Sequence, residues 1–129
     1  MASEQKQGTI LYVILNTDLD WPCGAMIVQG CHAVMSLQAK YHDHPMMIEY
    51  LSDLPNMTKR SLGISQNKLE AFMKKLDDKN IIYSAWTEMP ENVISAIALL
   101  PCYRNDPKVK SAISGLKNYA SPAPPPPKK

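Results

Sequence analysis

Two runs, Ile10-Leu11-Tyr12-Val13-Ile14-Leu15 and Trp21-Pro22-Cys23-Gly24-Ala25-Met26-Ile27-Val28-Gln29-Gly30-Cys31-His32-Ala33, are joined by the polar turn Asn16 to Asp20 and decide the fold class. Six apolar residues without alternation are the pattern of a strand covered on both faces. The second run opens a helix over Gly24 to Lys40. Its spacing puts Ile27, Cys31, Val34 or Met35, and Leu37 or Gln38 on an apolar side, with Ala25, Gln29, His32 and Ser36 along another. Gln29 and His32, three residues apart, share a helix face. Strand, turn and helix N-terminus together gather backbone N–H groups and side chains at one mouth, where anionic ligands bind.

Working outward, Tyr41-His42-Asp43-His44-Pro45 ends that helix, because the residue before a proline is pushed out of the helical region. A shorter helix is predicted over about Met46 to Ser52 and a strand over Lys59 to Ile64. The next helix starts at Asn67, with Leu69, Phe72, Met73 and Leu76 on its apolar side and Glu70 three residues after the cap. Lys74, Lys75, Asp77, Asp78 and Lys79 form its solvated face. Ile81 to Met89 and Val93 to Leu100 are strands, and the short Pro90-Glu91-Asn92 link makes them an antiparallel hairpin. Pro107 to Leu116 is a last helix, with proline in its first turn and Gly115 near its end. The order β-α-α-β-α-β-β-α predicts an α/β protein, a three-layer α/β/α sandwich around a small mixed sheet. The expected organisation is a flexible N-terminus at 1–8, one domain at 9–118 and a Pro-rich disordered tail at 119–129.

Composition narrows the function classes. The 129 residues suit one domain, and 45% apolar with 20% charged residues is ordinary for a globular chain. The three cysteines, Cys23, Cys31 and Cys102, cannot all pair and form no CxxC, so a reduced, cytoplasmic setting is expected. Met1 to Gly8 lacks the apolar core of a secretory signal, and no run approaches a membrane span. The net charge of +2 is no signature of nucleic-acid binding, because setting aside Lys128 and Lys129 leaves 12 basic against 12 acidic side chains. A basic face would have to be assembled by folding, from Lys59-Arg60 with Arg104, Lys108 and Lys110.

With these elements in place, the chain resembles the type-II peptidyl-tRNA hydrolase family of archaea and eukaryotes. It looks closest to the eukaryotic "peptidyl-tRNA hydrolase domain-containing" subgroup. The resemblance spans about Ile10 to Pro101. Its anchors are Asp18-Leu19, Gly24, Gln29, His32-Ala33, Thr87-Glu88 and the apolar strand ending at Pro101. Trp21-Pro22-Cys23-Gly24-Ala25, Asp43-His44-Pro45, Lys79-Asn80-Ile81, Pro90-Glu91-Asn92 and Ile97-Ala98-Leu99 are the subgroup-like features. The resemblance implies a four-stranded mixed sheet between helices, often a homodimer, and metal-free hydrolysis of the ester joining peptide to tRNA. It places catalysis on Gln29, His32 and Thr87, with Asp18, Gly24, Tyr83, Trp86 and Glu88 in support or touching substrate. No metal or other cofactor is implied.

The departures lie in the chemistry. The family's lysine at the start of the first helix is matched by Ala25, and an arginine at the end of the first strand by Asn16. Its Asp-Ala-Gly-Arg-Thr segment is matched by Tyr83-Ser84-Ala85-Trp86-Thr87. Alanine can neither stabilise an oxyanion nor bind phosphate, and tyrosine, with a pKa near 10, is a poor base at neutral pH. Each lost group costs on the order of 100-fold in rate, by analogy with single oxyanion-hole deletions. Three readings follow: a peptidyl-tRNA hydrolase, a catalytically inactive tRNA- or protein-binding module on the same fold, or a hydrolase of another ester or amide.

Other constellations have plainer readings. Cys31 is expected to be a buried structural cysteine, and Cys23, just ahead of the helix, is the better reactive thiol. His42-Asp43-His44 fits no zinc template and is expected to be a turn. Trp21, Trp86 and Tyr83 either form a stacking platform for a base or fill core volume. The tail, Ala123-Pro124-Pro125-Pro126-Pro127-Lys128, is a candidate ligand for SH3, WW or profilin-type domains or else a solubilising terminus.

Overall fold

The structure is a computed structural model that describes residues 8–120. The readings of 1–7 and 121–129 fall outside these residues. Strand β1 (Thr9–Asn16) is buried from Ile10 onward, as its unbroken apolar run requires. It is followed by α1 (Cys23–Lys40), α2 (Pro45–Leu51), β2 (Lys59–Ile64), α3 (Leu69–Asp78), β3 (Tyr83–Glu88), β4 (Val93–Leu99), β5 (Cys102–Tyr103), α4 (Pro107–Ile113) and β6 (Lys117–Asn118). A 3-10 turn at Gln66–Lys68 occupies the start predicted for α3. No helix among these residues is long and apolar enough to cross a membrane.

The sheet order is β3-β4-β1-β2-β6, with β5 pairing the beginning of β1. β1 and β2 are parallel across the α1–α2 crossover, and every other pairing is antiparallel. The predicted sheet of four strands is therefore extended to six. Each added strand is two residues long, too short to leave a period in the sequence. The β3–β4 hairpin turns through Asn92 at φ 58°, a left-handed conformation that asparagine tolerates better than most side chains.

Two apolar layers sandwich the sheet, giving the α/β/α arrangement. On one face Leu11, Val13, Leu15, Ala96 and Ala98 meet Met26, Ala33 and Leu37 of α1 and Met47 and Tyr50 of α2. On the other, Ile10, Tyr12, Ile14, Leu62, Ile97 and Leu99 meet Leu69, Phe72 and Leu76 of α3 and Val109, Ala112 and Ile113 of α4. Tyr119 packs partly buried against the α1 side and donates its backbone N–H to Ser61 at 3.0 Å.

The rotation of α1 corrects the sequence reading. Its buried side is Met26, Gln29, Ala33 and Leu37, whereas Ile27 and Met35 are 62% and 65% exposed. Cys31, expected to be buried, is exposed on the same stripe. The cause is the floor beneath the helix: Ala96 and Ala98 admit a close approach that the small Ala33 matches. The Cys23-Ile27-Cys31-Met35 stripe instead borders a groove between α1 and β2.

Candidate active site

A polar seam runs where α1 crosses β3 and β4. Alternation along β3 points Ser84 and Trp86 toward α1, and Tyr83 and Ala85 toward α3. From the C-terminal end of α1, Lys40 Nζ donates to Ser84 Oγ at 3.1 Å, and the Ser36 and Ser84 hydroxyls share a bond of 2.8 Å. One turn back, the His32 ring stacks on Trp86, with centroids 4.7 Å apart and planes inclined by 29°. Trp86 Nε1 donates to Glu88 Oε1 at 2.9 Å, which fixes the indole from its far side. Deeper still, the Ser95 hydroxyl donates to Gln29 Oε1 at 2.5 Å. Gln29 is 5% exposed and Ser95 0%.

Ser95 reaches this seam through a bulge. Trp86 pairs with Ala96 and Thr87 with Ile94, so Ser95 has no opposite number on β3. A bulge bends a strand and re-aims one side chain. Here two consecutive residues, Ser95 and Ala96, both face α1. Ser95, Ser84 and Lys40 were not among the candidate site residues read from sequence, and Ser36 was placed on the side of Gln29 and His32 without a role. A serine inside the apolar run Val93 to Leu100 is the signal that could have marked Ser95.

The structure thus brings together Gln29, His32, Trp86 and Glu88. Thr87 is not beside them: it is exposed and pairs with Ile94, which packs on the α3 side. Tyr83 also lies on the α3 side, where burial first and a bond to Asp77 second push its hydroxyl pKa up. Tyr83, Trp86 and Trp21 therefore form no single platform; Trp21 packs on the α1 side near Leu19. Asp18 braces the loop after β1. Its Oδ2 accepts from the Gln66 backbone N–H at 2.7 Å, and its own N–H donates to Asn16 Oδ1 at 2.9 Å.

Gly24 sits in the first turn of α1, which Pro22 begins without a side-chain cap. A Cβ there would meet nothing within 4 Å, so the turn is open to a ligand. His44 Nδ1 accepts from the Met46 N–H at 3.1 Å and caps α2, so the His42-Asp43-His44 run is a turn. Among the described residues no three His, Cys, Asp or Glu side chains are grouped to hold a metal ion.

In chemical terms, the seam presents an imidazole held by stacking and a carboxamide held by its oxygen. Fixing Oε1 on Ser95 leaves the Gln29 NH2 as the end able to donate.

Comparison with known proteins agrees with this architecture. The family model described as peptidyl-tRNA hydrolase PTH2 matches residues 9–119. The mouse and human proteins named "Putative peptidyl-tRNA hydrolase PTRHD1" are each 35% identical over 103 residues, covering 75% of this chain and 74% of theirs. A solved structure of a protein of unknown function from Agrobacterium tumefaciens strain C58 superposes with a TM-score of 0.61 at 15% identity. It covers 87% of this chain and 98% of that one, and at that identity it speaks for the fold alone.

Proposed function

The chain belongs to the PTH2 peptidyl-tRNA hydrolase family, and on that premise we propose that it hydrolyses the ester between a peptide and the terminal ribose of tRNA. The observation that carries the reading is the pairing of Gln29 and His32 on the sheet-facing side of α1, one anchored by Ser95 and the other by Trp86. Ester hydrolysis needs a water to lose a proton as it attacks, and a donor for the oxyanion that develops. Histidine is the side chain suited to exchanging protons near neutrality. His32 takes a proton from water as the new C–O bond forms, and the Gln29 NH2 donates to the carbonyl oxygen. When the ester C–O bond breaks, the proton passes from His32 to the departing ribose oxygen. No metal enters this scheme.

A second reading keeps the fold without the reaction. Gln29 is almost fully covered, Trp86 occupies the position of the family's arginine, and Ala25 that of its lysine. In this reading the seam is packing, and the chain is a tRNA- or protein-binding module.

Single-turnover hydrolysis of a purified N-acyl-aminoacyl-tRNA separates the two. Cleavage by the wild type, lost in His32→Ala with the melting temperature held within a few degrees and in Gln29→Ala assayed well below its own lowered melting temperature, establishes the esterase. No cleavage above buffer from folded wild-type protein, beside an active family member as control, refutes it in favour of the binding module.

A further inference from the structure

On the sheet face opposite α1, a cavity of about 480 Å3 opens between β1, β2 and α4. Its walls carry Arg60, Arg104 and Lys110, and no carboxylate. These side chains come from three separate stretches: β2, the turn after β5 and α4. Arg60 stands beside Tyr12 across the β1–β2 pairing. Its Nε donates to Asn118 Oδ1 at 2.8 Å, which ties down the stem and leaves both terminal nitrogens without a partner among the described residues. Arg104 crosses Gly8 so closely that a Cβ there would meet its Nε at 3.0 Å. One of its terminal nitrogens donates to Thr58 Oγ1 at 2.8 Å.

Both guanidinium groups are thus positioned by neutral acceptors. The ion pair among the described residues, Lys74 with Asp78, lies elsewhere on α3. The neighbour of Arg60 in the Lys59-Arg60 pair, Lys59, points the opposite way, 5.3 Å from the Tyr50 ring centroid. Like charges gathered without a counter-ion repel, and a multiply charged anion between them reverses the sign of that interaction. Guanidinium forks match phosphate oxygens in pairs. Arg60 and Arg104 also both act to lower the Tyr12 hydroxyl pKa, against the larger upward push of burial and of Cys102, as expected if both cations face into this space.

The volume exceeds what a lone phosphate fills and lies within the range of small-molecule sites. Beneath the cations Tyr12 and Leu62 are covered, and the accessible wall is formed by Ser114 and the half-buried Leu116. We propose that this cavity binds a nucleotide, with Arg60, Arg104 and Lys110 on the phosphate and the ribose and base against the Ser114–Leu116 wall. The nucleotide is either free or part of an RNA strand; the chemistry recognised is the same. The site lies across the sheet from Gln29 and His32 and stands whether or not they catalyse ester hydrolysis.

The test is calorimetric titration of the full chain with AMP, with inorganic phosphate and with a short single-stranded RNA, at low and moderate salt. The variants are Arg60→Gln/Arg104→Gln and, as a charge-matched control on α3, Lys74→Gln/Lys75→Gln. The expected result is AMP or RNA binding that weakens at least tenfold in the arginine variant and stays within twofold in the control. Binding of AMP assigns a free nucleotide. Binding of RNA without AMP assigns a nucleotide within a strand, and there the salt slope should fall by about one for each cation removed. The proposal is overturned if neither ligand binds, if the two variants weaken binding equally, or if inorganic phosphate binds as tightly as AMP.

Discussion

Ser95→Ala tests the internal logic of the seam. The Ser95 hydroxyl is fully buried and donates to the equally covered Gln29 Oε1 at 2.5 Å. Removing the hydroxyl deletes one hydrogen bond and leaves a buried carbonyl oxygen without a donor, a loss of about 1–3 kcal/mol. In a domain of this size each kcal/mol moves the melting temperature by about 4 °C, so a fall of about 4–12 °C is expected. Gln29→Met alone strands the serine hydroxyl and should cost a similar amount. The double variant removes both polar partners, and exchanging such a pair for apolar groups of similar shape is close to neutral. Its cost should therefore lie well below the sum of the two singles, with a coupling of about 1–2 kcal/mol. Urea denaturation of the four proteins, fitted with a common slope, reads these values directly. If Ser95→Ala lies within about 0.3 kcal/mol of wild type, or the singles add within about 0.5 kcal/mol, the bond is not holding Gln29.

Two further outcomes follow from burial and space. Burial, with the Asp106 carboxylate second, pushes the Cys102 thiol up to about 11. The folded chain holds this proton more tightly than the unfolded one. The resulting stability is therefore fully present below the unfolded thiol value, about 8.5, and is lost as pH rises toward 11. Urea midpoints measured in reductant at pH 8 and pH 10.5 should show this fall, reduced in Cys102→Ala; an equal fall in both would assign it elsewhere. Glycine replacement should divide by position. Gly24→Ala meets open space in a helical turn and should gain about 0.4–1 kcal/mol. Gly63→Ala should lose stability, because its Cβ would come within 2.6 Å of Thr17 Cγ2 and displace a side chain bonded to the Ile64 carbonyl at 3.2 Å. A melting curve for each variant decides both, and a stable Gly24→Ala with impaired hydrolysis would tie the open turn to substrate.

The elements were legible because each one carries a strong local pattern. β1 is a run of six apolar residues, β2 matches its predicted span of Lys59 to Ile64, and the hairpin is punctuated by Pro90-Glu91-Asn92. The face each helix or strand presents was harder to read. Hydrophobic periodicity counts polarity, and by that measure the Ile27-Cys31-Met35 side of α1 outranks a side that contains Gln29. Packing instead followed size, with Ala33 set over Ala96 and Ala98. The position of Thr87 was lost for a related reason. The family resemblance set Thr87 beside Gln29 and His32, but adjacent residues on a strand point to opposite faces, and here Trp86 takes the α1 side.

The bulge shows why the candidate site could not be completed from sequence. Counting back from Ala98 and Ala96, an unbroken strand would turn Ser95 toward α3, into the layer that holds Ile97 and Leu99. The extra residue lets Ser95 join Ala96 on the α1 side and carries Ile94 over to the α3 layer. Gln29 can then be buried with its oxygen satisfied, and burial without that partner would be costly. The inward turn of α1, the small residues beneath it and the bulge in β4 are therefore mutually dependent. Gln29 faces the sheet because Ser95 is there to receive it, and Ser95 is there because the strand carries one residue more than its partner.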